Sequence, residues 1–324
     1  MYLNKFFKTV SFYYSGGNYL HLCSLQPDFL NEVFRYNYKG NARELQGVYL
    51  WQNLLPIDWH IFYSSIRKVE PMIGIYFSGT GNTKFCVERF LQYYGDTIDV
   101  FPVEEERAVT ALCDATEILF GYPVYYSNLP KIVRDFITKN SSLFAGKKIY
   151  IIATMGLFSG DGAGCGARLM RRCHAEILGG LHVKMPDCIS DEKALKRTSE
   201  QNRKIIQDAD KKLKDAAESL KAGKPVREGL GLGSHAAGLL GQRLWFYTKT
   251  QKYSSRLKID PGKCIGCGKC MSLCPMENIT IREQKALPHA KCTMCYRCVN
   301  RCPVQAITLL GKRVYEQSSV EKYL

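Results

Sequence analysis

Eight cysteines in the last quarter of the chain, arranged as two copies of one motif, constrain the fold more than any other feature. The first copy reads CIGCGKCMSLCP over residues 264–275, and the second reads CTMCYRCVNRCP over residues 292–303. Both space their thiols as C-x2-C-x2-C-x3-C-P, and every cysteine recurs 28 residues later. The repeat continues past the cysteines, since residues 279–281 (ITI) match residues 307–309 (ITL). The segment is therefore a duplicated unit.

The spacing of the thiols has a physical reason. Three thiols two residues apart let a tight loop wrap three corners of an iron-sulfur cube, while the fourth, next to proline, points away and serves the other cube. The first predicted cluster is held by Cys264, Cys267, Cys270 and Cys302, and the second by Cys292, Cys295, Cys298 and Cys274. Gly266 and Gly268 would let backbone N–H groups approach the sulfides of the first cluster and tune its potential.

Zinc and disulfides are the two alternatives for these cysteines. Paired zinc sites usually join two C-x2-C knuckles across a spacer, and they do not place four cysteines in eleven residues before a proline. Disulfides are disfavoured by such dense spacing and by the cytoplasmic location expected below. The segment from about 258 to 313 resembles a bacterial two-cluster ferredoxin, with all eight ligand positions matched.

A second motif, IGIYFSGTGNTKF over residues 73–85, has the form of a phosphate-binding loop. A nucleoside-triphosphate loop needs Lys-Ser or Lys-Thr after its last glycine, but Lys84 is followed by Phe85. A dinucleotide fingerprint needs a third glycine at the position of Lys84. What remains is a nest of side-chain hydroxyl and amide groups and free backbone N–H groups before a helix. Such a nest suits one compact phosphate held without a metal, and the alternative is an ordinary strand-turn-helix.

Apolar strands alternate with helix-like segments after this loop. Strands are predicted over residues 98–103, 117–121, 148–153 and 183–188, and helical spacing over 131–140 and 167–178. The pattern predicts an α/β fold with a doubly wound, five-stranded parallel sheet, in which ligands bind at the carboxyl ends of the strands.

The loops after two of these strands suit a flat ring. Residues 121–130 (GYPVYYSNLP) supply aromatic and apolar surface, and residues 153–164 (ATMGLFSGDGAG) supply small residues and free backbone. Taken alone, the tyrosines of the first loop are equally typical of surface aromatics.

Together with the phosphate nest, these loops make residues 72–222 resemble a flavodoxin. The resemblance implies one FMN, in a sheet of strand order 2-1-3-4-5. It places the phosphate at Ser78, Thr80, Gly81, Asn82 and Thr83. It places the isoalloxazine ring between Pro123, Val124, Tyr125 and Tyr126 on one side and Thr154, Met155 and Gly156 on the other.

The order of the two modules is similar to the fused flavodoxin-ferredoxin family of anaerobic bacteria, over about 250 of the 324 residues. The expected layout is a flavodoxin-like domain over 72–222, a linker with a possible docking helix over 223–256, a small α+β two-cluster ferredoxin domain over 257–313 and a C-terminal tail over 314–324. The resemblance implies a cofactor set of two [4Fe-4S] clusters and one FMN more firmly than it implies a reaction.

The net charge of +15 raises the question of a nucleic-acid partner. The excess lies mainly in residues 223–324, which hold 17 Lys and Arg against 6 Asp and Glu. The same third contains the eight motif cysteines, and two four-iron clusters would each leave about −2 on their thiolate site. Much of the excess then balances a cofactor, so no nucleic-acid partner is expected.

The chain contains no run of 18 apolar residues and no recognisable secretory signal, so we expect a cytoplasmic protein without a membrane span. Residues 191–222 predict a charge-rich helix covering the sheet, residues 223–242 a linker, and residues 243–253 an amphipathic docking helix. Cys165, in a Gly-rich loop near the expected flavin, is a candidate for a reactive thiol.

Residues 1–71 carry no chemistry motif and have uncertain status. One hypothesis is that translation starts at Met72, directly before the first strand, and the rival is a small partner-binding lobe. Detection of a peptide from before Met72 in native protein by mass spectrometry decides between them.

Three functions remain open at this stage. The first is an oxidoreductase whose flavin gathers single electrons from the clusters for an unidentified acceptor. The second is a carrier between redox partner proteins, guided by its basic last third. The third is a redox sensor in which cluster loss alters partner binding. No general acid or base can be named from the sequence.

Overall fold

The computed structural model describes residues 7–13, 19–25, 71–95, 98–238, 240 and 253–324. The segment Met1–Val69 forms a unit of its own, separate from Glu70–Leu324. Within it, strand β1 (Phe7–Tyr13) pairs antiparallel with strand β2 (Tyr19–Leu25). Both hypotheses for residues 1–71 concern residues that lie mostly outside those described.

A five-stranded parallel sheet organises residues 73–184. Its strands are β3 (Ile73–Tyr76), β4 (Val100–Pro102), β5 (Glu117–Pro123), β6 (Lys148–Met155) and β7 (Glu176–Lys184). Their spatial order is β4-β3-β5-β6-β7, which is the predicted 2-1-3-4-5 order. The predicted bounds of three strands differ by at most two residues from the observed bounds of β4, β5 and β6. The predicted bounds are 98–103, 117–121 and 148–153.

Helices cover both faces of this sheet, because its central strands are apolar on both sides. The helices are α1 (Asn82–Tyr94), α2 (Glu106–Asp114), α3 (Lys131–Lys139), α4 (Gly162–Arg172), α5 (Ser199–Lys221) and α6 (Leu232–Gly238). Residues of α2, α3 and α4 fill the core on one face, and residues of α1 and α5 fill the core on the other. Buried parallel strands of this kind read as continuous apolar runs.

The last strand differs from its prediction. The sequence predicts a helix over 167–178 and a strand over 183–188, but α4 ends at Arg172 and β7 runs from Glu176 to Lys184. Gly179 and Gly180 lie inside β7, where the register with β6 shifts. A Cβ atom on Gly180 would lie 2.8 Å from the carbonyl oxygen of Glu228, so the glycine is required by a close backbone approach.

The predicted linker over 223–242 packs on the sheet over much of its length. The N–H of Gly180 donates to Val226 O at 2.9 Å, and the N–H of Glu228 donates to Gly180 O at 2.8 Å, so this segment covers the edge of β7. Helix α6 follows. The predicted docking helix over 243–253 lies almost wholly outside the described residues. The predicted helix over 191–222 begins later, at Ser199, with a capping box between Thr198 and Gln201.

The cysteine repeat forms a small unit of two antiparallel pairs. Its elements are β8 (Lys258–Ile259), α7 (Lys269–Ser272), β9 (Ile279–Arg282), β10 (Lys285–Pro288), α8 (Arg297–Arg301) and β11 (Ile307–Thr308). Strand β8 pairs with β11, and β9 pairs with β10. Left-handed backbone recurs 28 residues apart, at positions 266 and 294, 268 and 296, and 277 and 305, so the sequence repeat is also a structural repeat.

The C-terminal residues return to the sheet. The N–H of Val320 donates to Thr80 O at 2.9 Å, and the side chains of Val320 and Tyr323 are buried in the core that α1 and α5 share. Residues 314–324 therefore cover the loop between β3 and α1, in addition to ending the chain.

The buried carboxylate of Asp191, after β7, joins the sheet to the cysteine repeat. Its Oδ2 accepts the N–H groups of Leu309, Leu310 and Gly311 at 2.7, 3.0 and 3.0 Å, and its Oδ1 accepts the hydroxyl of Tyr296 at 2.9 Å. Three successive N–H groups around one carboxylate oxygen form a backbone anion nest. The two modules are thus fixed to each other by a charge-assisted network.

The first prediction concerns this carboxylate. Asp191→Asn removes the charge and leaves one carbonyl oxygen for donors that now use both carboxylate oxygens, so the unfolding free energy should fall by roughly 2–4 kcal/mol. The midpoint of thermal unfolding of the holoprotein, followed by circular dichroism, should fall by roughly 5–15 °C. Asp208→Asn, on the exposed side of α5, makes the same charge change and should leave the midpoint nearly unchanged. Equal midpoints for the two variants would refute the role given to Asp191.

Candidate functional site

One cavity collects the loops at the carboxyl ends of β3, β5 and β6. Ten of the twelve side chains predicted to bind the flavin line it, and these are Ser78, Thr80, Asn82, Thr83, Pro123, Val124, Tyr125, Thr154, Met155 and Gly156. The hydroxyl groups of Thr83 and Thr154 lie 2.8 Å apart and join the first loop to the third. The cavity lies where the strand order reverses, which is where ligands bind in open α/β sheets.

The other two predicted residues, Gly81 and Tyr126, do not line the cavity. Gly81 caps α1 with a left-handed backbone (φ 91°), so it shapes the turn that presents the first N–H groups of the helix. Tyr126 stacks on Tyr253, with ring centroids 5.7 Å apart, and its hydroxyl lies 3.1 Å from that of Tyr253. Tyr126 therefore packs on the cysteine repeat.

Two groups of cavity residues were not predicted. Residues 185–189 follow β7, and the first four of them were hidden inside the predicted strand 183–188, although Pro186 is a signal against a central strand. In this group, burial raises the pKa of Asp187, whose carboxyl packs against Gly156. Residues 294–296 come from the second cysteine motif. Met294 and Tyr296 occupy the positions at which the first copy has glycines. This difference between the two copies was the sequence signal that could have indicated these cavity residues.

Two buried polar atoms of the first loop have no hydrogen-bond partner, namely Ser78 Oγ and Asn82 Oδ1. Nδ2 of Asn82 donates to Pro186 O at 2.7 Å, which fixes the amide orientation because a carbonyl oxygen only accepts. The free hydroxyl of Ser78 beside a helix N-terminus fits an anion, and the free acceptor of Asn82 fits a hydroxyl donor. A sugar-alcohol phosphate carries both an anionic phosphate and hydroxyl donors. Flavin mononucleotide contains such a group, so the residues present fit it.

The cysteine motif forms one wall of this cavity. A Cβ atom on Gly79 would overlap the carbonyl oxygen of Cys295, so only glycine permits the phosphate loop to lie this close to the second motif. The guanidinium of Arg297 donates to Ser78 O at 2.8 Å and to Glu104 Oε1 at 2.6 Å, and so holds the same contact from the other side. Burial raises the pKa of Tyr125, which lines the cavity from the loop after β5, well above its ordinary value, so its hydroxyl stays protonated.

The eight motif cysteines surround two further cavities, in the sets that the crossing rule predicts. One cavity is lined by Cys264, Cys267, Cys270 and Cys302, and the other by Cys274, Cys292, Cys295 and Cys298. Among the described residues, no group of three or more His, Cys, Asp or Glu side chains is arranged around a single metal ion.

Backbone N–H groups point at four of these sulfurs. Sγ atoms of Cys274 and Cys302 accept from the residues four positions later, Asn278 and Ala306, at 3.3 and 3.4 Å. Sγ of Cys264 accepts from Ala286, and Sγ of Cys292 from Met294, both at 3.4 Å. Such N–H···S bonds stabilise thiolate ligands and tune the potential of a cluster.

Comparison with known families agrees with this geometry. A flavodoxin domain model matches residues 73–170, and a 4Fe-4S dicluster domain model matches residues 257–309. The chain carries a flavodoxin domain followed by a 4Fe-4S dicluster domain. The flavodoxin domain implies a flavin, and the dicluster domain implies 4Fe-4S clusters.

Solved flavodoxins resemble part of the chain. Reduced Megasphaera elsdenii flavodoxin is 24% identical, with 45% of this chain and 98% of that chain covered at a TM-score of 0.34. A flavodoxin of Streptococcus pneumonia TIGR4 is 16% identical, with 47% and 98% covered at a TM-score of 0.33. The fold assignment rests on strand order and on the family models.

No curated protein was found to match the chain. None of the described helices has the length and apolar character needed to cross a bilayer.

Cys165 was the candidate for a reactive thiol, and it lies on α4 of the flavodoxin domain. Its thiol lies 3.5 Å from Ser127 O and accepts from Arg168 Nη2 at 3.5 Å. Burial raises its pKa, with Arg168 opposing the shift. Because the thiolate is the nucleophile, a raised pKa makes this cysteine less reactive than a free one.

The second prediction concerns the contact between the two domains. Gly79→Ala should force the phosphate loop away from Cys295, lower the flavin content and slow electron transfer from clusters to flavin. The measurement is stopped-flow absorbance after anaerobic mixing with substoichiometric dithionite, so that the later changes in the flavin and cluster bands report electron exchange between the two cofactors. Gly95→Ala, where a Cβ atom meets nothing within 4 Å, is the control. Wild-type kinetics and flavin content in Gly79→Ala would show that the contact is not needed.

The third prediction uses the free hydroxyl of Ser78. Ser78→Ala should weaken flavin binding by about 1.5–3 kcal/mol, or roughly 10- to 100-fold in Kd, since a hydrogen bond to a charged group is lost. The same change should leave the flavin-free protein equally stable or more stable, because an unpaired buried hydroxyl is removed. Fluorescence titration with FMN and thermal unfolding of the flavin-free protein measure the two effects. A loss of stability without a change in Kd would contradict the assignment.

Proposed function

We propose that the flavin is FMN and that it occupies the cavity of the flavodoxin domain. Its phosphate is held by Ser78, Thr80, Gly81, Asn82 and Thr83, and its ring lies between residues 123–125 and 154–156. The free Ser78 hydroxyl and the left-handed Gly81 at the start of α1 support this placement. The loop has no lysine or metal position that a nucleoside triphosphate would need.

The dicluster domain holds two [4Fe-4S] clusters in this proposal. Cys264, Cys267, Cys270 and Cys302 ligate the first cluster, and Cys292, Cys295, Cys298 and Cys274 ligate the second. The support is that each set lines its own cavity and that N–H groups point at four of the sulfurs. The flavodoxin domain extends to Gly238 in this layout, because residues 226–228 cover its edge strand.

The chain is then an iron-sulfur flavoprotein that transfers electrons between its clusters and FMN. The single observation that carries this function is the backbone contact between Gly79 of the phosphate loop and the second cluster loop at Cys295. A flavin exchanges one or two electrons, whereas a cluster exchanges one, so the bound flavin supplies the pairing of electrons that a small-molecule acceptor needs. The residues of the chain position the two kinds of cofactor site next to each other, because they bring Cys295 against the flavin cavity.

The second candidate function is a carrier that passes electrons between protein partners without a substrate of its own. The basic last third of the chain favours it, since such a charge guides docking to acidic proteins. Turnover of the reduced protein with small-molecule acceptors favours the oxidoreductase. Salt-sensitive exchange with a protein, without any small-molecule turnover, favours the carrier. Both candidates agree with the cytoplasmic location proposed for the chain.

The fourth prediction concerns the cofactors. Protein purified without oxygen should contain about eight iron and eight sulfide ions and one FMN per chain. Thr80→Ala combined with Asn82→Ala should lose flavin and keep iron. Cys267→Ala should lose iron from the first cluster and keep flavin, because Cys267 lies away from the flavin cavity. Equal loss of both cofactors from both variants would contradict the two-site arrangement.

A further inference from the structure

The two copies of the cysteine motif have opposite surroundings. Ile265 is 61% exposed, whereas its counterpart Thr293 is 6% exposed. Met271 is 45% exposed, whereas its counterpart Val299 is fully buried. Equivalent positions of one duplicated motif therefore face solvent in the first copy and the protein interior in the second.

The flavodoxin domain packs against the second copy. It covers the second copy through Gly79 against Cys295, through Asp191 with Tyr296, and through Cys188 O, which accepts from Asn300 Nδ2 at 2.9 Å. No such cover lies over the first copy within the described residues, and the thiol-bearing residue Cys267 is exposed there. Of the two cluster sites, one is adjacent to the flavin cavity, and the other has exposed residues around it in the part of the chain that the structure describes.

The open copy combines apolar and basic surface beside cluster ligands. Ile265 and Met271 are exposed large apolar residues next to Cys264 and Cys270. Exposed large apolar residues beside a functional group are typical of an interaction site. Lys263 and Lys269 are also exposed. Among the described residues, Lys269 has no ion-pair partner, and Lys263 lies 4.0 Å from Asp260.

The local charge selects the kind of partner. Residues 256–272 contain four Lys and Arg against one Asp or Glu. Positive charge at a docking surface raises the rate of encounter with an acidic protein and disfavours a basic one. A second copy of this chain is also disfavoured, since each copy carries a net charge of +15. Charge complementarity therefore favours an acidic protein over self-association.

We propose that the surface formed by Lys263, Ile265, Cys267, Lys269 and Met271, the entry face, docks an acidic electron-donor protein. At each encounter the reduced partner loses one electron, and the first cluster gains it. The electron then reaches the flavin through the second cluster, whose loop adjoins the flavin cavity. This inference rests on the proposed function, and it adds the class of partner and the direction in which the chain is entered.

A charge reversal at the entry face tests the inference. Lys263→Glu with Lys269→Glu changes the charge by −4, and Lys204→Glu with Lys211→Glu makes the same change on the exposed side of α5. The probe is a reduced, acidic plant-type ferredoxin, and anaerobic stopped-flow absorbance follows cluster reduction at low and high salt. Dithionite, a small-molecule reductant that needs no docking surface, measures whether the clusters and the flavin of each variant can still be reduced. Iron and flavin contents show that each variant keeps its cofactors.

The wild type should be reduced by the probe with a rate that falls as salt rises. The entry-face variant should react with the probe roughly tenfold more slowly or worse at low salt and lose the salt dependence. Its reduction by dithionite should match that of the wild type. The α5 variant should keep most of the rate. Lys269→Gln, a milder change, should give an intermediate rate.

Equal rates for the entry-face and α5 variants would overturn the inference, and so would a wild-type rate that does not respond to salt. Vesicles containing phosphatidylserine and sedimentation of the wild type test the other occupants. The inference would also fail if the entry-face variant abolished vesicle binding or self-association of the wild type and left reduction by the probe unchanged. That result would show that the surface binds a membrane or a second copy. Reduction of the wild-type clusters by the probe with no later reduction of the flavin would instead refute the proposed function.

Discussion

The buried carboxylate of Asp191 is the interaction on which the arrangement of the two domains depends. It accepts three successive N–H groups of residues 309–311 and the hydroxyl of Tyr296, so it fixes both the end of the dicluster domain and its second cysteine loop. Because Tyr296 follows Cys295, this network also sets the position of Cys295 against Gly79. A charge buried among several donors is costly to disturb, which makes the contact between the domains geometrically well defined.

The sequence predicted the parts of the structure that local chemistry specifies. The cysteine spacing predicted which thiols share a cavity, the alternating strands predicted a doubly wound five-stranded sheet, and the resemblance to flavodoxin implied its strand order. The end of β7 was missed because Gly179 and Gly180 are typical of a turn, whereas here they admit the backbone of residues 226–228. Residues 185–189 were missed for the same reason. The wall formed by residues 294–296 depends on packing between domains, which no local pattern encodes.

The duplicated motif shows how one sequence pattern acquires two roles. Both copies keep left-handed backbone at equivalent positions, with glycine in the first copy and with Met294 and Tyr296 in the second. Non-glycine residues in that conformation carry a steric cost, which is offset when the side chains are held by their surroundings. In the second copy both side chains line the flavin cavity. The repeat is thus symmetric in its backbone and asymmetric in its environment, because the second copy packs against the flavodoxin domain and the first copy does not among the described residues.

The most direct test of the account is a crystal structure of protein purified without oxygen, with anomalous scattering recorded at the iron edge. The account predicts iron peaks in both cysteine cavities and flavin density in the cavity bounded by Ser78, Tyr125 and Tyr296. It also predicts that the cluster held by Cys295 is the one nearer to the flavin. A single metal ion in either cysteine cavity, or flavin density away from the Gly79–Cys295 contact, would contradict it.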